Sequence, residues 1–254
     1  MLRFRRIVVA VATLAVVALP GPVAAAPGDG FVYQSRRPAP LADARTYILL
    51  GTRTADGCRF DYPDLVLGVG ETTRLQRDIG IDQAHCRKLV EEGIPTTDVS
   101  TAGVDPTITS ITAPIGQRTA TGAATGPAVL TSSTVSSGYH KTWYENFLGQ
   151  LLSGDTTYIT WIWNGSCATS GSTYGEWSWN TFYGWAPISY GGTDNLTCAR
   201  YQGETHATFG LGSCRHYYYY VRALGSNTGG ITGTYSEHAT CGPVWFHSSV
   251  QKTT

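Results

Sequence analysis

Lysine is nearly missing from this 254-residue chain, which holds only Lys88, Lys141 and Lys252. With its arginines scattered, the chain offers no basic stripe to neutralise phosphates, and that excludes a nucleic-acid partner. Without a basic amphipathic stretch, a membrane-surface role is excluded as well. Apolar runs are short: the longest, residues 7–19, falls below the roughly 20 residues of a membrane-crossing helix. The chain contains no His-Glu-x-x-His, no Gly-x-Ser-x-Gly and no phosphate-binding glycine loop. It has no Cys-x-x-Cys pair and no histidines at ligand spacing, so neither metal nor cofactor is expected. His85, His140, His206, His216, His238 and His247 stand singly, the pattern of surface or hydrogen-bonded histidines rather than of catalytic bases.

What is present begins with a secretion pattern. Arg3, Arg5 and Arg6 precede the apolar run and Val23-Ala24-Ala25 follows it, as in a signal peptide covering residues 1–25. Its removal leaves 15 basic against 18 acidic residues, a slightly acidic mature chain expected outside the cell and free of the membrane. Six cysteines in an oxidising compartment predict three disulfides. Fifteen pairings are possible; nearness in sequence favours Cys58 with Cys86, Cys167 with Cys198, and Cys214 with Cys241.

Composition divides the mature chain. After an N-terminal tail over 26–43, residues 44–95 form a small segment with its own cysteine pair. Residues 96–136 are rich in Thr, Ser, Ala and Gly and poor in large apolar side chains, which reads as linker. The rival reading there is an edge strand over Thr107–Thr112. Residues 137–254 make an aromatic-rich module.

In the first segment, Thr73, Leu75, Arg77 and Ile79 alternate with Arg74, Gln76, Asp78 and Gly80, the period of a strand. Residues 82–93 fit either a helix capped by Asp82 or the return strand of a hairpin. Arg74, Arg77, Arg87 and Lys88 against Glu71, Asp78, Glu91 and Glu92 read as an ordinary solvated face. In the second module, Ile159, Trp161 and Trp163 alternate with Tyr158, Thr160 and Ile162 ahead of an Asn164-Gly165 turn. Both faces are apolar enough to predict a strand covered on two sides. Trp177 and Trp179 alternate with Glu176 and Ser178. Tyr217, Tyr219 and Val221 are expected on one face, with Tyr218, Tyr220 and Arg222 on the other. A helical turn is expected around Leu148, Leu151 and Leu152. The fold class is therefore mainly β: a small disulfide-stapled N-terminal β segment plus a C-terminal β-sandwich or barrel.

The stretches RDIGIDQAHCRKLVEEGIP, GYHKTWYENF and TWIWNGSCATSGSTYGEWSWNTFYGW resemble secreted proteins of actinobacterial type, in which a Cys-containing hairpin-like segment precedes a Trp-rich Cys module. The resemblance implies export and carries over no catalytic residue.

Residues 137–254 hold seven Trp, twelve Tyr and four Phe. That is more than a sandwich core of this size is expected to bury with every phenol and indole N–H partnered. Some rings should therefore face outward. The candidates are Tyr218 and Tyr220 with Arg222, or Tyr174, Tyr183, Trp185 and Tyr190 in the Gly-rich stretch, flanked by Asn180, Asp194 and Asn195. Exposed rings beside amides and carboxylates suit an extracellular or cell-wall polysaccharide, and the reading is of a binding protein rather than an enzyme. One alternative is a glycosidase drawing two acids from Glu145, Asp155, Glu176, Asp194, Glu204 and Glu237. Another is a disulfide-rigid inhibitor or protein-binding module.

Overall fold

The structure, a computed structural model, describes residues 30–35, 39–96, 107–120, 132–242 and 244–254. The proposed signal peptide lies outside them. Strands are numbered in chain order. One antiparallel sheet runs β2 (Leu41–Leu50), β7 (Arg87–Pro95), β6 (Thr73–Asp82), β16 (Trp245–Lys252), β9 (Thr134–Glu145), β10 (Leu151–Trp163), β11 (Ala168–Asn180), β8 (Ile108–Thr119), with β1 (Val32–Tyr33) beside β6. The second runs β12 (Ala186–Leu196), β13 (Arg200–Leu211), β14 (Cys214–Ser226), β15 (Ile231–Ala239), β4 (Cys58–Asp61), β3 (Thr52–Arg53), with β5 (Leu65–Val66) beside β15. They pack face to face, β10 against β13 and β14 and β11 against β12 and β13, with no helix among the described residues.

The all-β class and the three expected disulfides are present: Cys58–Cys86, Cys167–Cys198 and Cys214–Cys241. The first joins β4 of one sheet to the β6–β7 turn of the other. The hydrogen bonding does not follow the division into two modules, because strands from both ends of the chain alternate. β16 pairs with β6 on one side and β9 on the other, and β15 pairs with β4. Inside the stretch read as linker, β8 pairs with β11 along its length, as the edge-strand reading anticipated and beyond its bounds. Residues 83–86 are a turn and β7 is the return strand, so the hairpin alternative holds at 82–93. The helical turn expected at 148–152 is instead a tight connection, in which the Asn146 side chain accepts the N–H groups of Leu148 and Gln150 and returns the chain into β10.

The core explains where the aromatics go. Trp143, Trp161, Trp177, Trp179, Trp185 and Trp245 are buried, and so are Tyr62, Tyr144, Tyr201, Tyr218 and Tyr235. The core accepts so many phenols because each finds a polar partner inside it. Tyr218 donates to the Ser153 carbonyl at 2.8 Å, Tyr235 to Gln76 at 2.8 Å and Tyr62 to Asp78 at 2.8 Å. An unmatched buried hydroxyl would cost about 1–3 kcal/mol. Glycines make room for the largest rings: Gly225 lies beneath Trp161 and Gly171 beneath Tyr201.

The solvated charge face expected on β6 and β7 is largely interior. Asp78, Lys88 and Glu92 are buried, and Arg77 is 5% exposed. Strand alternation identifies faces but not what covers them; here β15 and β16, from the far end of the chain, lie over and beside this hairpin.

Candidate functional site

The outer face of the first sheet carries a transverse row of tyrosines. The turn at Asn164-Gly165, with Gly165 at φ 83°, fixes the register of β10 on β11 so that Tyr158 stands directly opposite Tyr174. The Asn146–Gln150 connection fixes β9 on β10 so that Tyr158 also stands opposite Tyr139. Gln251 of β16 and Pro114 of β8 extend the same line at its two ends. Adjacent strands lie about 4.8 Å apart, so the row crosses five strands as a shallow band rather than a hole. Tyr139 and Tyr158 have ring centroids 5.3 Å apart. Tyr174 is 48% exposed, while Tyr139 and Tyr158 are half-buried.

Polar groups line both sides of the band. On one side the Tyr158 hydroxyl donates to Glu176 at 2.6 Å, and Lys141 lies over the Trp143 ring at 5.5 Å. On the other, Ser137, Thr160, Ser172 and Gln117 pair across β9, β10, β11 and β8. Burial, reinforced by the Glu176 carboxylate, holds the Tyr158 phenol well above its ordinary range, so it remains a hydrogen-bond donor. The strand expected to be covered on both faces is thus open on this one, with Thr160 exposed.

The six residues expected to bind ligand do not form one surface. Trp185 is buried and stacks on His216 with centroids 3.9 Å apart. Tyr218 is also buried. The reason is a bulge at Tyr219: Tyr218 pairs with Glu237 while Tyr220 pairs with Ser236, so the alternation slips by one residue. Tyr218 and Val221 then face inward, whereas Tyr217, Tyr219, Tyr220 and Arg222 share the outer face. There the ring faces are capped by arginines, Arg59 over Tyr219 at 4.5 Å and Arg222 over Tyr220 at 4.1 Å, and Arg222 is tied to Glu204 at 2.5 Å. Tyr183 is half-buried and donates to Gln150. Tyr190 is 44% exposed against Trp177. Among the flanking residues, Asn180 is buried and bonds the Leu151 carbonyl, and Asp194 pairs with Arg118 at 3.0 Å.

Tyr174 was legible from sequence as an outward ring; Tyr139 and Tyr158 were not. The signal that locates them is the pair of tight turns, because residues equidistant from a hairpin turn become cross-strand neighbours.

The acid candidates are separately occupied. Glu145 pairs with His247, Glu204 with Arg222 and Asp194 with Arg118, while Asp155 and Glu237 are buried. A cleft of about 580 Å³, formed by residues 67–72, 228–231 and 252–254, contains one side-chain carboxylate, Glu71, and Arg74 pairs with it. A paired-acid mechanism needs two. Two Ser–His contacts, Ser248 to His140 at 2.7 Å and Ser153 to His216 at 2.8 Å, are buried, with no opening to a substrate. Among the described residues no group of His, Cys, Asp and Glu is placed to hold a metal ion. No family model, no curated protein and no solved structure matches the chain.

Proposed function

We propose that the chain is a secreted, non-catalytic binding protein that recognises an extracellular or cell-wall polysaccharide through the Tyr139–Tyr158–Tyr174 band. The in-register alignment of three tyrosines across adjacent strands, bordered by hydroxyls, Gln117 and Glu176, carries this reading. Ring faces stack on the apolar faces of sugars while side-chain hydroxyls, amides and carboxylates match sugar hydroxyls. A shallow open band accommodates a polymer that continues past both edges, unlike a closed pocket. Three disulfides fit an oxidising compartment, and no described helix is long and apolar enough to cross a membrane.

The test is sedimentation and calorimetry of the oxidised protein with peptidoglycan, chitin, cellulose and starch. Saturable binding to one polymer, weakened about two- to tenfold in Tyr174→Ala with the fold retained, supports the reading; absence of binding to all four rejects it. A second reading, a protein-binding module, draws on the exposed apolar tips Phe147, Leu148 and Phe182, which are 63%, 52% and 74% exposed. Substitutions there would leave polysaccharide binding unchanged.

A further inference from the structure

Between the two sheets, Lys88 of β7 is held by two carboxylates at once. Its Nζ lies 2.6 Å from Asp78 Oδ2 on the neighbouring strand β6 and 2.6 Å from Glu237 Oε1 on β15 of the opposite sheet. All three residues are buried, Lys88 at 4%, Asp78 at 0% and Glu237 at 1% exposure. The surroundings are aromatic: Nζ is 4.6 Å from the Phe60 ring centroid, 5.4 Å from that of Tyr62 and 5.5 Å from that of Phe246. Asp78 accepts the Tyr62 hydroxyl on Oδ1 at 2.8 Å and the Phe246 N–H on Oδ2 at 3.3 Å. Glu237 accepts the Tyr144 hydroxyl on Oε2. A cavity of about 20 Å³ borders Lys88, Tyr144 and Phe60, enough for one water molecule.

We propose that Lys88 and Asp78 condense, once the sheets have packed, into an intramolecular amide between Nζ and Cγ, with Glu237 as the proton shuttle. Three physical conditions favour it. Burial in an aromatic site works against a separated ammonium and carboxylate, while the facing Asp78 and Glu237 carboxylates hold Lys88 charged until its proton passes to Asp78. The fold holds amine and carboxyl in contact, replacing a bimolecular encounter by a fixed one. The product replaces two buried charges by a neutral amide.

The atoms balance without any co-reactant. The Lys88 ammonium passes one proton to Asp78 Oδ2, and the free amine attacks Cγ. Negative charge develops on Oδ1, where the Tyr62 hydroxyl already donates. Glu237 Oε1 takes a second proton from Nζ and delivers it to Oδ2, which leaves as water. The carbonyl re-forms at Oδ1, Nζ keeps one hydrogen, and Glu237 returns to its starting state. Burial raises the proton affinity of Glu237 above that of an ordinary glutamate, which suits it to accept that proton. Because Glu237 comes from the opposite sheet, the bond forms only in the folded chain. It ties β6 to β7 at a position where Cys58–Cys86 already ties the same hairpin to the second sheet.

Tandem mass spectrometry of the folded full chain, denatured, reduced, alkylated and digested with trypsin, tests this. Trypsin cuts after Arg77 and Arg87, so Asp78 and Lys88 leave on separate peptides unless they are joined. The expected result is one branched peptide lighter than its two parts by one water, with Lys88 uncut and with fragments that show a free Arg87 C-terminus and the junction at Asp78 and Lys88; these distinguish it from the isobaric linear peptide uncut at Arg87 and Lys88. In Glu237→Gln, which keeps both reacting groups, the branched peptide should fall at least tenfold; Lys88→Met should abolish it. Separate, uncrosslinked peptides from the folded wild-type chain would overturn the proposal. So would a fragment series that joins Lys88 to residue 237, or full crosslinking in Glu237→Gln.

Discussion

The Tyr158 hydroxyl donates to the Glu176 carboxylate at 2.6 Å, diagonally across the β10–β11 ladder. This contact fixes the free end of the central ring in the tyrosine band. Glu176 therefore serves as the partner of a surface phenol. Tyr158→Phe removes the tie but keeps the ring, so it should weaken polysaccharide binding less than Tyr158→Ala. Tyr174→Ala should weaken it about two- to tenfold, the range set by roughly 0.5–1.5 kcal/mol per aromatic contact. Calorimetric titration of the three variants against the polymer bound by the wild type checks the order. Equal losses in Tyr158→Phe and Tyr158→Ala would show that the hydroxyl, not the ring face, carries binding.

Acid should destabilise the fold through its buried histidines. His140 is buried between a Ser248 hydroxyl and the Arg222 carbonyl, and burial pushes its pKa down to about 4. A histidine that is harder to protonate folded than unfolded contributes its full stability above pH about 6.5 and loses it as pH falls to about 4. The loss from His140 is about 3 kcal/mol. His216, depressed in the same direction by burial between Tyr144 and Trp185, adds to it. Asp155 and Glu237, whose carboxyls burial holds above the ordinary range, act in the opposite direction, so chemical denaturation at pH 7, 5.5 and 4 should show a more favourable change on acidification in His140→Gln than in the wild type. Identical pH dependence in wild type and His140→Gln would contradict the assignment.

Removing the Cys58–Cys86 bond should open the contact between the two sheets locally. Cys58–Cys86 is one of two disulfides that cross between them, closing a loop of 28 residues; Cys167–Cys198 joins the β10–β11 turn to the β12–β13 turn. Cys58→Ser with Cys86→Ser should lower stability by roughly 3–4 kcal/mol in the chain-entropy description. Hydrogen exchange should localise the new opening to β4 and the β6–β7 turn, and protection there equal to wild type would count against the cross-sheet role.

Gly171→Ala should destabilise although it adds only a methyl group. The new Cβ would lie 2.5 Å from Tyr201 Cγ, and that ring is buried and pinned through its hydroxyl by Thr173 at 2.8 Å and Asp194 at 3.2 Å. Overpacking of this kind costs about 1–3 kcal/mol. A shift of the denaturation midpoint with an unchanged slope is the expected outcome; no shift would mean the ring moves freely.

Local patterns in the sequence determined the antiparallel β class, the turn at Asn164-Gly165, the inward Trp177 and Trp179, and the nearness of cysteines that became partners. These depend on alternation and turn chemistry, which act over a few residues. Tertiary structure decided the rest. One extra residue at Tyr219 put Tyr218 and Tyr220 on opposite faces, because side-chain alternation has a period of two and a single insertion inverts it. The charges of β6 and β7 look solvated in isolation, yet strands from the far end of the chain enclose Asp78, Lys88 and Glu92 and confer on them a chemistry that no local window contains. The tyrosine band is likewise a property of register among three strands, legible only once both hairpin turns are fixed.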